Sequence, residues 1–112
     1  MYSFNSDYWA GAVELCGGTS KMASSAQLAK IANYVYNTDR VIAASVSSST
    51  SSLTFDATKA AELGLPSSPS FSLWSDKERN SSNTYSRYFF STSTSWIEGH
   101  RSESHYLAVC VE

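Results

Sequence analysis

The spacing of hydrophobic residues changes character along this 112-residue chain, and that change limits the folds it can adopt. In the first half, apolar residues recur at three- and four-residue intervals, which is typical of amphipathic helices. From Phe71 onwards they occur in short β-prone runs separated by polar turns. Helices followed by strands predict an α+β domain, with two helices packed on a small antiparallel sheet and long polar loops between the elements.

Two helices are predicted near the start of the chain. The first begins behind a cap at Ser6 or Asp7 and stops at Gly17-Gly18. The second begins at Ser24, where Gln27 completes the spacing of a capping box, and ends before Asn37. Their apolar stripes are Trp9, Ala12, Val13 and Cys16 in the first helix, and Leu28, Ile31, Ala32 and Val35 in the second.

The middle of the chain is dominated by serine. Between residues 39 and 54, the run Ser47–Ser52 has no apolar period that could specify a buried face. This pattern predicts an exposed loop, with a short edge strand over Arg40–Val46. A short helix is expected over Asp56–Leu63, ended by Gly64 and Pro66.

Three antiparallel strands are predicted in the second half, over Phe71–Trp74, Tyr85–Phe90 and Tyr106–Val111. In the middle strand, alternation places one aromatic set on each face. One set can fill the core while the other is exposed, and an arrangement with both faces buried is equally compatible with the pattern. Exposed Tyr among Ser, Gly and Asn is the composition of antibody paratopes, so this part of the chain indicates a binding surface.

Composition and charge narrow the class of protein. Hydrophobic residues make up 42% of the chain and aromatic residues 13%, which is enough for a packed core, so one domain over residues 1–112 is expected. Charged residues reach only 16%, and 24 serines supply a polar surface instead.

The net charge of -2 and the scattered basic residues predict that the chain does not bind nucleic acid. The longest apolar run, Tyr106–Val111, is far shorter than the ~20 residues that cross a bilayer, so no direct membrane insertion is expected.

Few side chains in this sequence could bind a metal, form a disulfide or take part in catalysis. Cys16 and Cys110 lack a CxxC pair or a nearby His, so they form one long-range disulfide or remain two buried thiols. One group of side chains could bind metal or transfer protons, but neither strand nor helix geometry would bring its members to one point. Its members are Glu98, His100, Glu103 and His105. There is no Gly-x-Ser-x-Gly elbow, and we expect no metal, no cofactor, no catalytic residue and no enzymatic activity.

Several short motifs follow one another in a recognisable order. A helix with the first cysteine precedes Met22-Ala23-Ser24, a second capped helix, a serine loop, Phe71-Ser72-Leu73-Trp74-Ser75 and a final Ala108-Val109-Cys110. This order resembles the C-type lectin fold. Trp74-Ser75, followed by Arg87, Phe89, Trp96, Arg101 and the Ala108-Val109-Cys110 ending, resembles the variable proteins of diversity-generating retroelements of bacteria and phages. The likeness covers nearly the whole chain.

The motifs of the calcium-dependent lectins are missing. Those proteins carry a Glu-Pro-Asn or Gln-Pro-Asp loop and a Trp-Asn-Asp strand. Here Pro66 and Pro69 are flanked by Leu65 and serines, and Trp96 is followed by Ile97-Glu98. A calcium-dependent sugar site is therefore not expected.

The resemblance implies a ligand-binding display domain: a fixed scaffold that presents a sequence-variable surface over about residues 83–106, diversified by a retroelement. The implied partner is an unknown protein or glycan ligand. The implied location is the cell surface or the extracellular space, with an anchoring segment upstream that this chain does not contain. Two alternatives stay open: a structural or pilus-tip adhesion module, and an enzyme related to the formylglycine-generating branch of the same fold.

The resemblance also assigns roles to residues. Arg87, Phe89, Trp96, Arg101 and Tyr106 belong to the scaffold, and a disulfide joins Cys16 in the first helix to Cys110 in the last strand. The implied ligand-binding residues point to solvent on one contiguous surface, and they are Ser86, Tyr88, Phe90, Ser93, Ser95, Ile97, His100, Ser102, Ser104 and His105. Ile97 is notable because an apolar β-branched residue in a polar stretch is explained by a randomised position.

Overall fold

Three α-helices and a four-stranded antiparallel sheet form the fold in the computed structural model, which describes residues 7–111. The α+β class predicted from the sequence is confirmed, and the sheet has four strands where three were expected. In chain order the elements are α1 (Tyr8–Cys16), a 3-10 turn (Thr19–Lys21), α2 (Ser25–Val35), β1 (Ser48–Thr50), α3 (Ala57–Glu62), β2 (Phe71–Glu78), β3 (Asn83–Phe89) and β4 (Thr94–His100).

The helices begin and end at the residues whose side chains predicted them. The Asp7 carboxylate accepts a hydrogen bond from Ala10 N at 2.8 Å and caps α1, which ends at Gly17 in the left-handed conformation (φ 91°). Ser24 and Gln27 exchange both hydrogen bonds of a capping box at the start of α2. These local signals explain why the predicted bounds of α1 and α2 are confirmed.

The short helix α3 is also confirmed, and it is capped by Asp56. The Asp56 carboxylate accepts hydrogen bonds from Asn37 Nδ2 at 3.1 Å and from Lys59 N at 3.1 Å. These hydrogen bonds lower the pKa of the Asp56 carboxyl, with the Asn37 bond as the larger cause. Because Asn37 follows α2, this cap also ties the two helices together.

The sheet has the strand order β1-β4-β3-β2. Arg87 of β3 lies opposite both Leu73 of β2 and Trp96 of β4, so these three side chains share one face, which we call the inner face. Ser86 lies opposite both Trp74 and Ile97 and defines the outer face. Each strand therefore contributes to two different surfaces.

The strand predictions were wrong in three places. Arg40–Val46 is not a strand, and β1 forms within the serine run instead, because Ser49 pairs through its backbone with Ser95 of β4. β4 lies between the second and third predicted strands, in a stretch where the sequence predicts only a polar turn. Tyr106–Val111, which we call the C-terminal segment, forms isolated bridges rather than a strand, because its backbone bonds are divided between β2 at Leu107 and the chain near Met22.

Two clusters of buried side chains lie on opposite faces of the sheet. On the inner face, α2 and α3 pack against Leu73, Phe89 and Trp96. On the outer face, α1 packs Trp9 and Ala12 against Trp74, together with Met22. The outer cluster lies at one end of its face, and at the other end Phe90 is exposed while Tyr88, Ser95 and Ile97 are half-buried.

A disulfide joins Cys16 of α1 to Cys110 of the C-terminal segment, with their Cα atoms 5.2 Å apart. This confirms the pairing implied by the resemblance. Cys16 is half-buried, whereas Cys110 is exposed because the C-terminal segment runs along the surface. Arg101 makes a second link at this end, since its guanidinium binds Asp7 at 2.6 Å and also pairs with Glu78.

Candidate functional site

An uncharged patch occupies the open end of the outer face. Tyr88 of β3 and Phe90 stack with their ring centroids 6.3 Å apart, and Phe90 is 42% exposed. Ser95 of β4 lies between Tyr88 of β3 and Ser49 of β1. The hydroxyl oxygens of Ser49 and Ser95 are 2.9 Å apart. Ile97 follows on β4 and is half-buried. We call Ser49, Tyr88, Phe90, Ser95 and Ile97 the open patch.

The turn that carries Phe90 is hydrogen-bonded to Tyr36, the residue that follows α2. Tyr36 Oη lies 2.5 Å from the carbonyl oxygen of Phe90 and 2.9 Å from that of Ser93, so it donates its one proton between them. Phe90 N also donates to Ser93 O at 2.9 Å, and Thr94 Oγ1 donates to Tyr88 O at 2.7 Å. Burial raises the pKa of the Tyr36 phenol, so this donor stays protonated.

Ser86 does not belong to this surface, and the prediction that it points to solvent is wrong. Ser86 is fully buried on the outer face, between Trp74 and Ile97. The ring of Tyr106 covers this position, because it packs against Trp74 at a centroid distance of 4.5 Å. Tyr106 lies twenty residues further along the chain, so alternation within β3 could not reveal the cover.

Four of the other predicted residues lie at or beyond the far end of β4, so the prediction of one contiguous surface is also wrong. His100 alternates onto the inner face side of β4, and Ser102, Ser104 and His105 follow in the turn after it. His100 Nδ1 lies 2.6 Å from Ser102 Oγ, which closes this turn on itself. The predicted residues thus divide into a group at the open patch, with Ser93 in the adjoining turn, and a group beyond the other end of β4.

The acidic and histidine side chains near residue 100 do not converge. Glu98 pairs with Arg79 at 3.1 Å, and exposed His105 lies 3.9 Å from Glu103. Within residues 7–111, no three or more His, Cys, Asp or Glu side chains are grouped so that they could hold a metal ion.

Arg87 lies under the sheet on the inner face and is 1% exposed. Its guanidinium carbon is 5.8 Å from the centre of the Trp96 ring, and Trp96 in turn stacks on Tyr85 at 5.4 Å. Among the described residues, Nε and Nη2 of Arg87 have no hydrogen-bond partner. Burial lowers the pKa of Arg87 to about 10. Tyr85, Arg87 and Trp96 therefore pack on the inner face of β3 and β4, on the side of the sheet opposite the open patch.

Two residues of the site region gave no sequence signal. The sequence predicts that Ser49 lies in an exposed loop, because nothing in a run of serines marks the one that pairs with β4. Tyr36 follows the apolar stripe of α2, and its role depends on carbonyl groups more than fifty residues away. Neither contact could be inferred from local patterns.

An apolar cleft of about 380 Å³ lies on the opposite side of the domain. It is formed between α2, the end of α3 and the C-terminal segment, and Leu63 at its edge is 47% exposed. Ile31, Leu65 and Val109 contribute further apolar lining. None of the predicted ligand-binding residues lines this cleft.

Comparisons with protein families, with curated proteins and with solved structures found no significant match. None of the helices in residues 7–111 has the length and apolar character needed to cross a membrane.

Proposed function

We propose that this chain is a ligand-binding display domain with a C-type-lectin-like scaffold, in which the open patch contacts the ligand. In this proposal the domain acts outside the cell, has no catalytic role, and uses neither a metal nor a cofactor. Its ligand is a protein or a glycan. The surface that it presents is diversified by a retroelement.

The scaffold part of the proposal is supported by the way the ends of the chain are joined. The disulfide between Cys16 and Cys110 fixes α1 to the C-terminal segment, and that segment bridges to β2 at Leu73. The sheet is antiparallel and packs helices on both faces, with α1 on one and α2 on the other. A disulfide of this kind is also typical of proteins exported to an oxidising compartment.

The observation that carries the proposal is the stack of the half-buried Tyr88 ring on the exposed Phe90 ring. Aromatic rings are costly to leave in water, yet here they stand on an open sheet face beside hydroxyl groups that can form hydrogen bonds. Rigid rings with small polar neighbours give contact area at a low entropic cost. The rings rest on a turn that Tyr36 holds in place, so the patch is preorganised for contact.

Binding can be tested with the purified chain on an array of defined glycans and purified surface proteins. Any ligand found should bind Phe90→Ala at least about tenfold more weakly, which corresponds to about 1.4 kcal/mol. Leu15→Ala is the matched control, because Leu15 is an apolar residue of α1 with 62% exposure away from the patch. A ligand that loses affinity with Leu15→Ala and not with Phe90→Ala would contradict the proposed site.

Diversification can be tested in the DNA around the gene. The proposal expects a near-copy of the gene's 3′ end beside a reverse-transcriptase gene, differing from it at adenines of the template copy. The differing codons should include those for Tyr88, Phe90, Ser95 and Ile97. A neighbourhood without such a copy would remove the retroelement from the proposal and leave ligand binding to be judged on the array.

A structural or adhesive assembly role is the second candidate. Ile42 and Val46 are 73% and 67% exposed in the segment that leads into β1, which is one of the two edge strands of the sheet. Exposed apolar residues beside an uncovered edge favour association between chains. Sedimentation velocity would distinguish the candidates: self-association that is lost in Ile42→Ser/Val46→Ser would favour assembly over display.

A further inference from the structure

The turn between β2 and β3 carries a sequence motif that the display function does not use. Asn80-Ser81-Ser82 has the pattern Asn-x-Ser, which is the acceptor signal for N-linked glycosylation when it lies on the surface of an exported protein. The chain has five asparagines, and only Asn80 has Ser or Thr two residues later. We propose that Asn80 is an acceptor site for an N-linked glycan.

The structure gives this motif the setting that modification requires. It forms the tip of the β2–β3 hairpin, and residues 77–82 are all exposed. Asn80 Oδ1 accepts hydrogen bonds from Ser82 N and Asn83 N, each at 2.8 Å. Within residues 7–111, Asn80 Nδ2 makes no hydrogen bond. The reacting nitrogen is therefore accessible, while the oxygen of the same carboxamide is held by the turn.

The position also suits the rest of the molecule. β3 begins at Asn83 near the hairpin tip and ends at Phe89, so about 20 Å of strand separates the tip from Phe90. Ile97, which lies opposite Ser86, is the member of the open patch nearest to the tip, at about 10 Å along the strand. A glycan on Asn80 would therefore be attached at the end of the hairpin remote from Tyr88 and Phe90. The disulfide between Cys16 and Cys110 indicates an oxidising, exported environment, which is where lipid-linked oligosaccharides are transferred to proteins.

The chemistry is a group transfer without oxidation or reduction. The donor is an oligosaccharide carried on a polyprenyl diphosphate, and a membrane-bound oligosaccharyltransferase catalyses the step. A bond forms between Asn80 Nδ2 and the anomeric carbon of the first sugar as the bond from that carbon to the diphosphate oxygen breaks. The electron pair of the broken bond leaves with the polyprenyl diphosphate, and Nδ2 loses one proton to a base of the transferase.

The test is expression of the full chain behind a secretion signal in a eukaryotic host, followed by intact mass measurement before and after peptide N-glycosidase treatment. Wild type should carry a glycan that the enzyme removes, leaving Asp at position 80 and a mass increase of about 1 Da over the unmodified chain. Ser82→Thr should be modified as well, because threonine completes the same signal. Ser82→Ala should be unmodified, and it is a close control because Ser82 N can still bind Asn80 Oδ1.

Each result decides the proposal. Site-specific modification that is lost in Asn80→Gln and Ser82→Ala, and kept in Ser82→Thr, would support it. A secreted, disulfide-bonded wild type without glycan would overturn it, and so would a glycan that persists in Asn80→Gln. All variants should also be made in a host without the transferase, where equal melting temperatures would show that loss of modification does not come from misfolding. The outcome is independent of the ligand that the open patch binds.

Discussion

The ring of Tyr106 lies directly over Gly99 of β4. A Cβ atom built on Gly99 would overlap Cε2 of this ring and would stand 3.1 Å from its Cζ and 3.2 Å from Ser86 Oγ. The same ring packs on Trp74 of β2, so Tyr106 spans the outer face from β2 to β4. The absence of a side chain at Gly99 is what allows the C-terminal segment to cover this end of the sheet.

Gly99→Ala should therefore destabilise the domain, by about 1–3 kcal/mol, although alanine is the better strand residue of the two. The added methyl group must displace Tyr106 from Trp74 or shift β4. Urea unfolding of Gly99→Ala, Tyr106→Ala and the double variant forms a double-mutant cycle. In the Tyr106→Ala background, Gly99→Ala should cost less than about 0.5 kcal/mol, and equal costs in both backgrounds would show that the two residues are not coupled.

The disulfide should supply a large share of the stability. Cys16 and Cys110 are 94 residues apart, and a cross-link over a loop of this length reduces the entropy of the unfolded chain by an amount equivalent to at most ~4–5 kcal/mol. Reduction should lower the free energy of unfolding by about 2–5 kcal/mol in urea titrations. Because Cys110 is exposed, a mild reductant should suffice without denaturant. Cys16→Ser/Cys110→Ser is the control, and its midpoint should not respond to the reductant.

Tyr36 should make the domain sensitive to alkaline pH. Its phenol has an ordinary pKa near 10 in the unfolded chain, and burial raises that pKa in the folded state. Below pH 10 both states keep the proton. Above pH 10 the unfolded state releases it and the folded state does not, so stability should fall by up to about 1.4 kcal/mol per pH unit from this group.

Tyr36→Phe removes that proton, and stability curves from pH 7 to 11.5 would show the difference. The variant should be less stable at pH 7 by about 1 kcal/mol, because the carbonyl groups of Phe90 and Ser93 lose their donor. Above pH 10 the two curves should converge. The other tyrosines are common to both proteins and cancel in the comparison, so parallel curves would contradict the role assigned to Tyr36.

Arg87 is expected to destabilise the fold relative to an apolar residue of the same length. Its guanidinium is buried, and two of its nitrogens have no hydrogen-bond partner among residues 7–111. Burial lowers the pKa of Arg87 to about 10, below its usual range, so between pH 5 and 9 the charge is present in both states and the penalty does not vary with pH.

Arg87→Met should therefore be as stable as wild type or more stable, by up to about 2 kcal/mol, in urea unfolding at pH 7. Arg87→Ala is the matched comparison, and it should be less stable than Arg87→Met because it leaves a cavity beside Trp96. A large loss of stability in Arg87→Met would show that the contact of the guanidinium with the Trp96 ring outweighs its desolvation.

The sequence predicted the parts of the fold that depend on neighbouring residues. The capping box at Ser24 and the stop at Gly17 are local, and both helices were located from them. β1 and β4 were missed because their pairing partners are distant: Ser49 meets Ser95 through the backbone, with no side-chain signal in a serine run. A strand of mixed polar and apolar residues such as β4 is defined by its neighbours in the sheet rather than by its own composition.

The candidate site divides in the same way. Alternation in β3 placed Tyr88 and Phe90 on one face correctly, because side chains on a strand alternate whatever covers them. It also placed Ser86 there, and the error came from Tyr106, whose ring arrives from the C-terminal segment. Exposure depends on the complete fold, so the local pattern gave the face but not the part of it that remains open.

The boundary between scaffold and open patch can be measured residue by residue. Phe90→Ser, Ser95→Tyr and Ile97→Thr should each change the free energy of unfolding by less than about 0.5–1 kcal/mol, since these side chains lie at the open end of the outer face. Trp96→Ala should cost at least about 3 kcal/mol, because Trp96 is fully buried against Tyr85 and Arg87.

The most informative pair of variants is Ser86→Tyr and Ser95→Tyr, which make the same change on the same face of adjacent strands. Ser86→Tyr should be destabilising by about 1–3 kcal/mol because Tyr106 closes over it, whereas Ser95→Tyr should be tolerated. Equal tolerance at both positions would mean that Tyr106 does not cover Ser86 in solution and that the open patch extends further toward α1.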